Sequence, residues 1–365
     1  MKNTGPFFAI VAALGLALFD AAPARAAADL DEAHALLDDW QLEDAQAMAE
    51  EILANAPDDP QAWLLAGRVL HHRGEHLAAL ALIDAAGDAG ARDAQSARPL
   101  VESSARYQAQ FEALESEHFS IRYLNKDEIV AAYAVEVLEA AYRNIAGDLR
   151  FLPAERGEKI VVEIYPDARG LAGATGLTVP EIETSGTIAV CKFHRLMITS
   201  PLATVAGYDW GDTLAHEFVH LVISKKAHNR IPIWLHEGIA KFYESRWKGK
   251  AGESLAPYSE KLLAEAVRKK KLITFDEMHP SMAKLPSQEA AGLAFAEVFT
   301  VIEYLVKTYG PEGVPKVLEL AGKGVELERA LKQTFGAGIP GIESKWKQYL
   351  AKRPFREVPG AGPRK

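Results

Sequence analysis

The chain has 365 residues, 48% of them hydrophobic, enough to bury a sizeable core and to form two domains. Its 41 Lys and Arg face 50 Asp and Glu, a formal charge of −9, with no strongly basic domain, which argues against a nucleic-acid partner. The single cysteine, Cys191, excludes an internal disulfide.

Residues 1–26 read as a secretory signal. Lys2 gives a thin positive start, residues 7–19 an apolar run, and Ala24-Arg25-Ala26 a small-x-small cleavage pattern. Asp20 closes the run, which is short for a membrane span, and there is no lipobox cysteine. The expectation is an exported bacterial protein, periplasmic or secreted, with no stable membrane span after signal cleavage.

Residues 27–116 are Ala/Leu-rich and helical. Matching Ala33 to Gly67, Leu36 to Leu70 and Ala45 to Ala79 gives a period of 34 residues. Trp63, Gly67, Leu70, Ala79 and Ala86 resemble a tetratricopeptide repeat (TPR), and Pro57 closes the unit before it. The first unit matches less well, with Asp29 in the Trp position. Two TPR-like helix pairs and a further helix near 99–116 are expected, as a packing module or as a partner-binding surface. His71, His72 and His76 are read as helix surface in preference to an adventitious metal site.

The pattern changes at Glu117. Residues 118–123 alternate as a strand, with Phe119, Ile121 and Tyr123 on one face. An amphipathic helix follows over 127–149, apolar at Ile129, Ala132, Tyr133, Val137, Leu138 and Ala141. Residues 159–165 make a second strand, 170–186 a glycine-rich loop, and 186–191 and 195–199 two short strands. Cys191 reads as a buried strand thiol and His194 as a surface residue in a hairpin turn.

The chemistry is carried by His216-Glu217-Phe218-Val219-His220. Two imidazoles four residues apart on a helix lie about 40° apart around its axis, one turn above the other. One tetrahedral Zn²⁺ can take both ring nitrogens at roughly 2.0–2.1 Å. Glu217, about 100° round from His216, reaches solvent beside the ion without ligating it. Leu214, Phe218, Leu221 and Val222 form the core stripe, with Thr213, Val219 and Ile223 on the flanks.

After Pro232, residues 233–240 start a second apolar helix. Its Glu237 is expected as third ligand, and Gly238 and Ala240 are small enough for close helix approach. Two His, one Glu and an open fourth position make a catalytic zinc site. His228 is read as solvent-facing in the loop between the two helices, and His236 as pointing elsewhere from Glu237. Further helices are expected over 259–271, 288–309, 312–322, 325–335 and 341–352. The basic run 268–271 is read as a solvated helix end.

H-E-F-V-H followed by P-x-W-L-x-E-G-x-A resembles the gluzincin metallopeptidases, in particular the bacterial peptidase MA-like group related to thermolysin-type enzymes. Residues 294–299 (AFAEVF) and 330–336 (ALKQTFG), ahead of Trp346, resemble that family's C-terminal lobe, so the resemblance covers 117–352. It implies an α+β fold: a thermolysin/gluzincin-like catalytic domain at 117–352 with a small mixed sheet, zinc-bearing helices and a helical C-terminal lobe. An all-α TPR-like domain at 27–116 precedes it, and a flexible tail at 353–365 ends the chain. It also implies one Zn²⁺ on His216, His220 and Glu237, a peptide or protein substrate, and Glu217 as general base. One strand between 186 and 199 would lie at the sheet edge over the zinc helix and pair with extended substrate backbone.

Two positions depart from the family. Phe295 stands where members often carry a tyrosine, so transition-state support passes to Tyr208, Tyr243 or Tyr258 as candidates. Lys241 stands where thermolysin-type enzymes place a supporting aspartate, which leaves Glu244 as the candidate acceptor for the zinc histidines. Two alternatives stay open: an envelope scaffold that binds partners through its TPR-like helices and keeps a silent zinc domain, and a zinc hydrolase of a non-peptide substrate.

Overall fold

The computed structural model describes residues 23–151, 159–252 and 255–356. The proposed signal and tail therefore lie mostly outside the described residues. Two compact units divide the chain at Ala105/Arg106, ahead of the boundary at 116 expected from sequence. No described helix is long and apolar enough to cross a membrane.

The first unit contains α1 (Pro23–Asp38), α2 (Leu42–Asn55), α3 (Pro60–His72), α4 (His76–Asp88) and the start of α5 (Ala94–Gln108). Asp59 caps α3 by accepting the Gln61 N–H, and Pro60 occupies a first-turn position that needs no donor. Ala33, Ala45 and Ala79 are fully buried. A Cβ on Gly67 would come within 2.8 Å of Ile83 Cγ1, so α3 and α4 pack too closely there for a side chain. His71, His72 and His76 are buried, not on a helix surface. They sit at the α3–α4 turn, where the His71 and His76 Nδ1 atoms lie 3.1 Å apart.

The second unit holds a five-stranded sheet in the order β1-β2-β3-β5-β4. Its strands are β1 (Glu112–Glu115), β2 (Phe119–Tyr123), β3 (Ile160–Tyr165), β4 (Ala189–Lys192) and β5 (Arg195–Thr199). β2, β3 and β5 are parallel, and the two edge strands pair antiparallel, giving a mixed sheet. β1 was expected as the end of a helix; pairing of Glu112 with Tyr123 overrides the helical composition of E-A-L-E.

α6 (Glu128–Ala141) makes the crossover between β2 and β3. Its buried face is phased by Val130, Ala134, Val137 and Leu138, which leaves Ile129, Ala132 and Tyr133 exposed, contrary to the sequence expectation. A π-helical turn, Tyr142–Ala146, follows. One sheet face, with Phe119, Ile121, Val162, Ile164, Leu196 and Ile198, is fully buried. On the other face Glu163 is wholly enclosed, accepting from Arg195 Nη1 at 2.5 Å and from Tyr165 OH at 2.9 Å.

The expected loop over 170–186 is instead two short helices, α7 (Ala168–Thr175) and α8 (Val179–Ser185). Asp167 accepts from Arg169 and Gly170 N–H, and Thr178 and Glu181 form a reciprocal capping box. Gly176 and Gly186 end these helices at φ 75° and 69°, a left-handed turn that glycine takes without strain.

After the site helices come α11 (Pro257–Lys269), α12 (Gln288–Tyr309), α13 (Gly313–Gly322), α14 (Leu327–Phe335) and α15 (Ile339–Leu350). Within α12, Glu297 is fully buried and its Oε1 accepts the Ile273 N–H at 3.0 Å. Burial raises its pKa from 4.5 to about 8, against the pull of that N–H. Folding favours the protonated form, so this contribution is complete below about pH 4.5 and is lost as pH rises through about 8. Glu297→Gln keeps the acceptor. It is expected to leave Tm unchanged near pH 4 and to raise it above about pH 8, by the equivalent of a few kcal/mol. A Tm difference that is the same at both pH values would contradict this.

Candidate active site

Two helices build the site. α9 (Trp210–Ala227) buries Leu214, Phe218, Leu221 and Val222 completely, with Phe218 edge-on to Phe119 of β2 at 5.7 Å. That stripe turns His216 and His220 to the opposite side. Asp212 fixes the first turn by accepting from Trp247 Nε1 at 2.8 Å and Lys248 Nζ at 2.7 Å. At the other end His228, at φ 49° and only half-exposed, donates its N–H to the Ser224 carbonyl and stops the helix.

Pro232 then opens α10 (Ile233–Tyr243), whose roll is set by its packing on α12. A Cβ on Gly238 would lie 2.9 Å from the Val298 carbonyl oxygen and 3.1 Å from Ile302 Cγ1. Trp234 stacks on Phe275 at 4.2 Å and 8°. With those faces occupied, Glu237 is turned towards α9. Its Oε2 lies 3.4 Å from His216 Nε2 and 3.4 Å from His220 Nε2.

That spacing is long for an N–H···O hydrogen bond. It suits a shared ion: ligands about 2.0–2.1 Å from a tetrahedral Zn²⁺ stand roughly 3.3 Å apart. The donor set, two imidazoles and one carboxylate, is one that zinc takes. The residues therefore fit the ion expected from sequence.

The outer ring nitrogens are also engaged. His216 Nδ1 meets Glu244 Oε2 at 3.2 Å, and Lys241 Nζ donates to Glu244 Oε1 at 2.5 Å. Glu244 thus serves His216 alone. His220 Nδ1 lies 2.7 Å from His236 Nδ1, a contact between the two helices that sequence reasoning, which only set His236 apart from Glu237, did not anticipate. The position of His236 next to Glu237 was the available clue: adjacent residues of α10 reach the inner and outer sides of one ring on α9.

Glu217 is 7% exposed and lies near the backbone N–H of Cys191 in β4, which pulls its pKa down against burial. A two-residue turn at Phe193 and His194, both at positive φ, joins β4 to β5. With Lys192 opposite Arg195 at the turn, and Thr199 N–H donating to the Ile188 carbonyl, the backbone groups of Ala189 and Cys191 point away from β5. β4 is therefore the edge strand over α9. His194 is buried in this turn, not on the surface as expected. Cys191 is partly buried and lines the cleft.

The cleft holds about 1070 Å³ and is walled by β4, by α8, by the segment from His279 to Met282, and by Phe295. Tyr208, Tyr243 and Tyr258 are not among its lining residues. The Tyr208 hydroxyl donates to the Thr199 carbonyl, Tyr243 is buried, and Tyr258 is 63% exposed.

Burial disfavours charge on His216, yet the Glu237 and Glu244 carboxylates outweigh it and raise its pKa to about 10. Burial likewise pushes Glu237 up, but His220 and His216 hold it well below the usual carboxylate range. Glu217 is raised, by burial first, against the pull of His220 and His216. Burial and the facing His220 depress His236 to about 3, so it is neutral at pH 7.

The chain belongs to the Peptidase MA superfamily, whose family model matches residues 152–352. This is a superfamily of peptidases, and the match takes in both site helices, β3 to β5 and the C-terminal helices. It begins after β2 and α6, which the sequence resemblance had included. No curated protein matches the chain.

Without an ion, His216 keeps its proton below about pH 10, and an ion can take Nε2 only by displacing it. Zinc titrated into the metal-free protein at pH 7 is expected to release at least one proton per ion. Calorimetry in buffers of different ionisation enthalpy measures this. Apparent affinity should rise about tenfold per pH unit in this range. A binding heat independent of buffer would contradict the assignment.

Proposed function

We propose that the protein is an exported zinc-dependent metallopeptidase. The observation that carries this reading is the convergence of His216 Nε2, His220 Nε2 and Glu237 Oε2 at metal-ligand spacing, with the Glu217 carboxylate beside them in one cleft. Export rests on the signal-like residues 1–26. The TPR-like reading of the N-terminal helices rests on the 34-residue offset that pairs Ala33 with Gly67 and Ala45 with Ala79.

Zn²⁺ bound by His216, His220 and Glu237 supplies Lewis acidity towards water and the scissile carbonyl. Glu217 takes a proton from the attacking water and passes it to the leaving amine nitrogen, so one peptide bond and one water give a carboxylate and an amine. The raised pKa of Glu217 suits a group that accepts and then returns a proton. The outward backbone groups of Ala189 and Cys191 offer an extended substrate a strand to pair with.

Glu217→Gln is expected to bind zinc like the parent and to lose about 10²–10⁴-fold in turnover of a mixed peptide library. His220→Ala is expected to lose the metal as well. Parental turnover in Glu217→Gln would remove the assigned base. Zinc uptake by the parent with no peptide cleavage would overturn the peptidase reading.

A further inference from the structure

We propose that His236 is a positioning residue for the metal site: it accepts the Nδ1 proton of His220 and so holds that ring with Nε2 turned towards Glu237. The inference rests on the reading of His216, His220 and Glu237 as the ligand set. It adds a residue that neither the sequence motif nor the family match assigns.

The geometry restricts the proton order. Two Nδ1 atoms 2.7 Å apart share one hydrogen, because two protons would clash and two lone pairs would repel. If His236 donated, His220 would carry its proton on Nε2, the atom 3.4 Å from Glu237 Oε2 where an ion must sit. The opposite order leaves His220 Nε2 as a lone pair and places the His236 proton on Nε2. That proton points at Ser224 Oγ, 3.4 Å away, which has lone pairs to receive it.

Ser224 lies one turn beyond His220 on the same helix, so α9 carries both ends of the relay and α10 its middle. The two imidazoles meet edge to edge through these nitrogens, with centroids 4.7 Å apart and planes inclined by 32°, so the Nδ1–H of one ring can point at the lone pair of the other. The other ligand is held differently, since His216 leans on a carboxylate that is itself tied to Lys241. A neutral imidazole orients its ligand without adding negative charge to the site, and outer-shell partners of this kind typically change metal affinity 10–100-fold.

The test compares His236→Leu, which fills the space without an acceptor, with His236→Asn, whose amide oxygen can take the same hydrogen. Zinc affinity by chelator competition and the Tm of the metal-free protein are measured for each. The proposal expects a 10–100-fold weaker dissociation constant for His236→Leu, recovery of most of it in His236→Asn, and little change in metal-free Tm. Nitrogen-15 NMR of the zinc-loaded parent should find the His220 proton on Nδ1. Parental zinc affinity in His236→Leu, or a His220 proton on Nε2, would overturn the proposal. A fall in metal-free Tm common to both variants, without recovery in His236→Asn, would assign His236 to packing alone and also overturn it. The ligand reading has a separate control: if Glu237→Ala binds zinc as the parent does, the ligand set is wrong and this inference falls with it.

Discussion

The close approach of α10 to α12 at Gly238 is the constraint on which the site depends. A methyl group there would press on the Val298 carbonyl at 2.9 Å, and the backbone cannot yield cheaply inside a packed interface. With Gly238 against α12 and Trp234 stacked on Phe275, the face bearing Glu237 and His236 has one direction left, towards α9. The register of α9 is set by its own buried stripe, by Phe218 against the sheet and by Asp212 at the first turn. His216 Nε2, His220 Nε2 and Glu237 Oε2 meet because two helices are each fixed from behind.

The same packing creates an electrostatic demand. Glu237 and Glu217 are both largely withdrawn from water, and two carboxylates in one pocket need positive charge nearby. In the protein alone that charge falls to the His216 imidazolium, which is why its pKa climbs despite burial. The divalent ion proposed for the site would meet the demand more fully, with His216 giving up its proton. Glu244 is already neutralised by Lys241 and adds orientation with little net charge. With Lys at position 241, His216 finds its carboxylate partner in Glu244 three residues on, and His220 finds His236 instead.

Much of this was legible in the sequence. The spacing of His216 and His220 fixes their relation on any helix, and the core stripe of α9 follows from its periodicity. The long α12 was read to the residue, because its apolar pattern runs unbroken from Gln288 to Tyr309. Glu244 is an acceptor candidate from sequence because Lys241 stands where the family resemblance places a supporting acid. What the sequence left hidden is mostly tertiary. β1 exists only through pairing with β2, and His236 meets His220 only because of the angle at which two helices face each other. The capping box at Thr178 and Glu181 was a local signal that the surrounding glycines obscured. The three tyrosine candidates could not be ranked from sequence for a related reason: a hydroxyl can be placed near a reacting centre only when the surrounding fold is known.

X-ray absorption at the zinc edge of the purified protein tests the central claim most directly. The account predicts two imidazole nitrogens together with carboxylate and solvent oxygen at about 2.0–2.2 Å, and no sulfur. A sulfur neighbour at about 2.3 Å would place Cys191, which lines the same cleft, on the metal and contradict the ligand set. Oxygen neighbours without imidazole would contradict it equally.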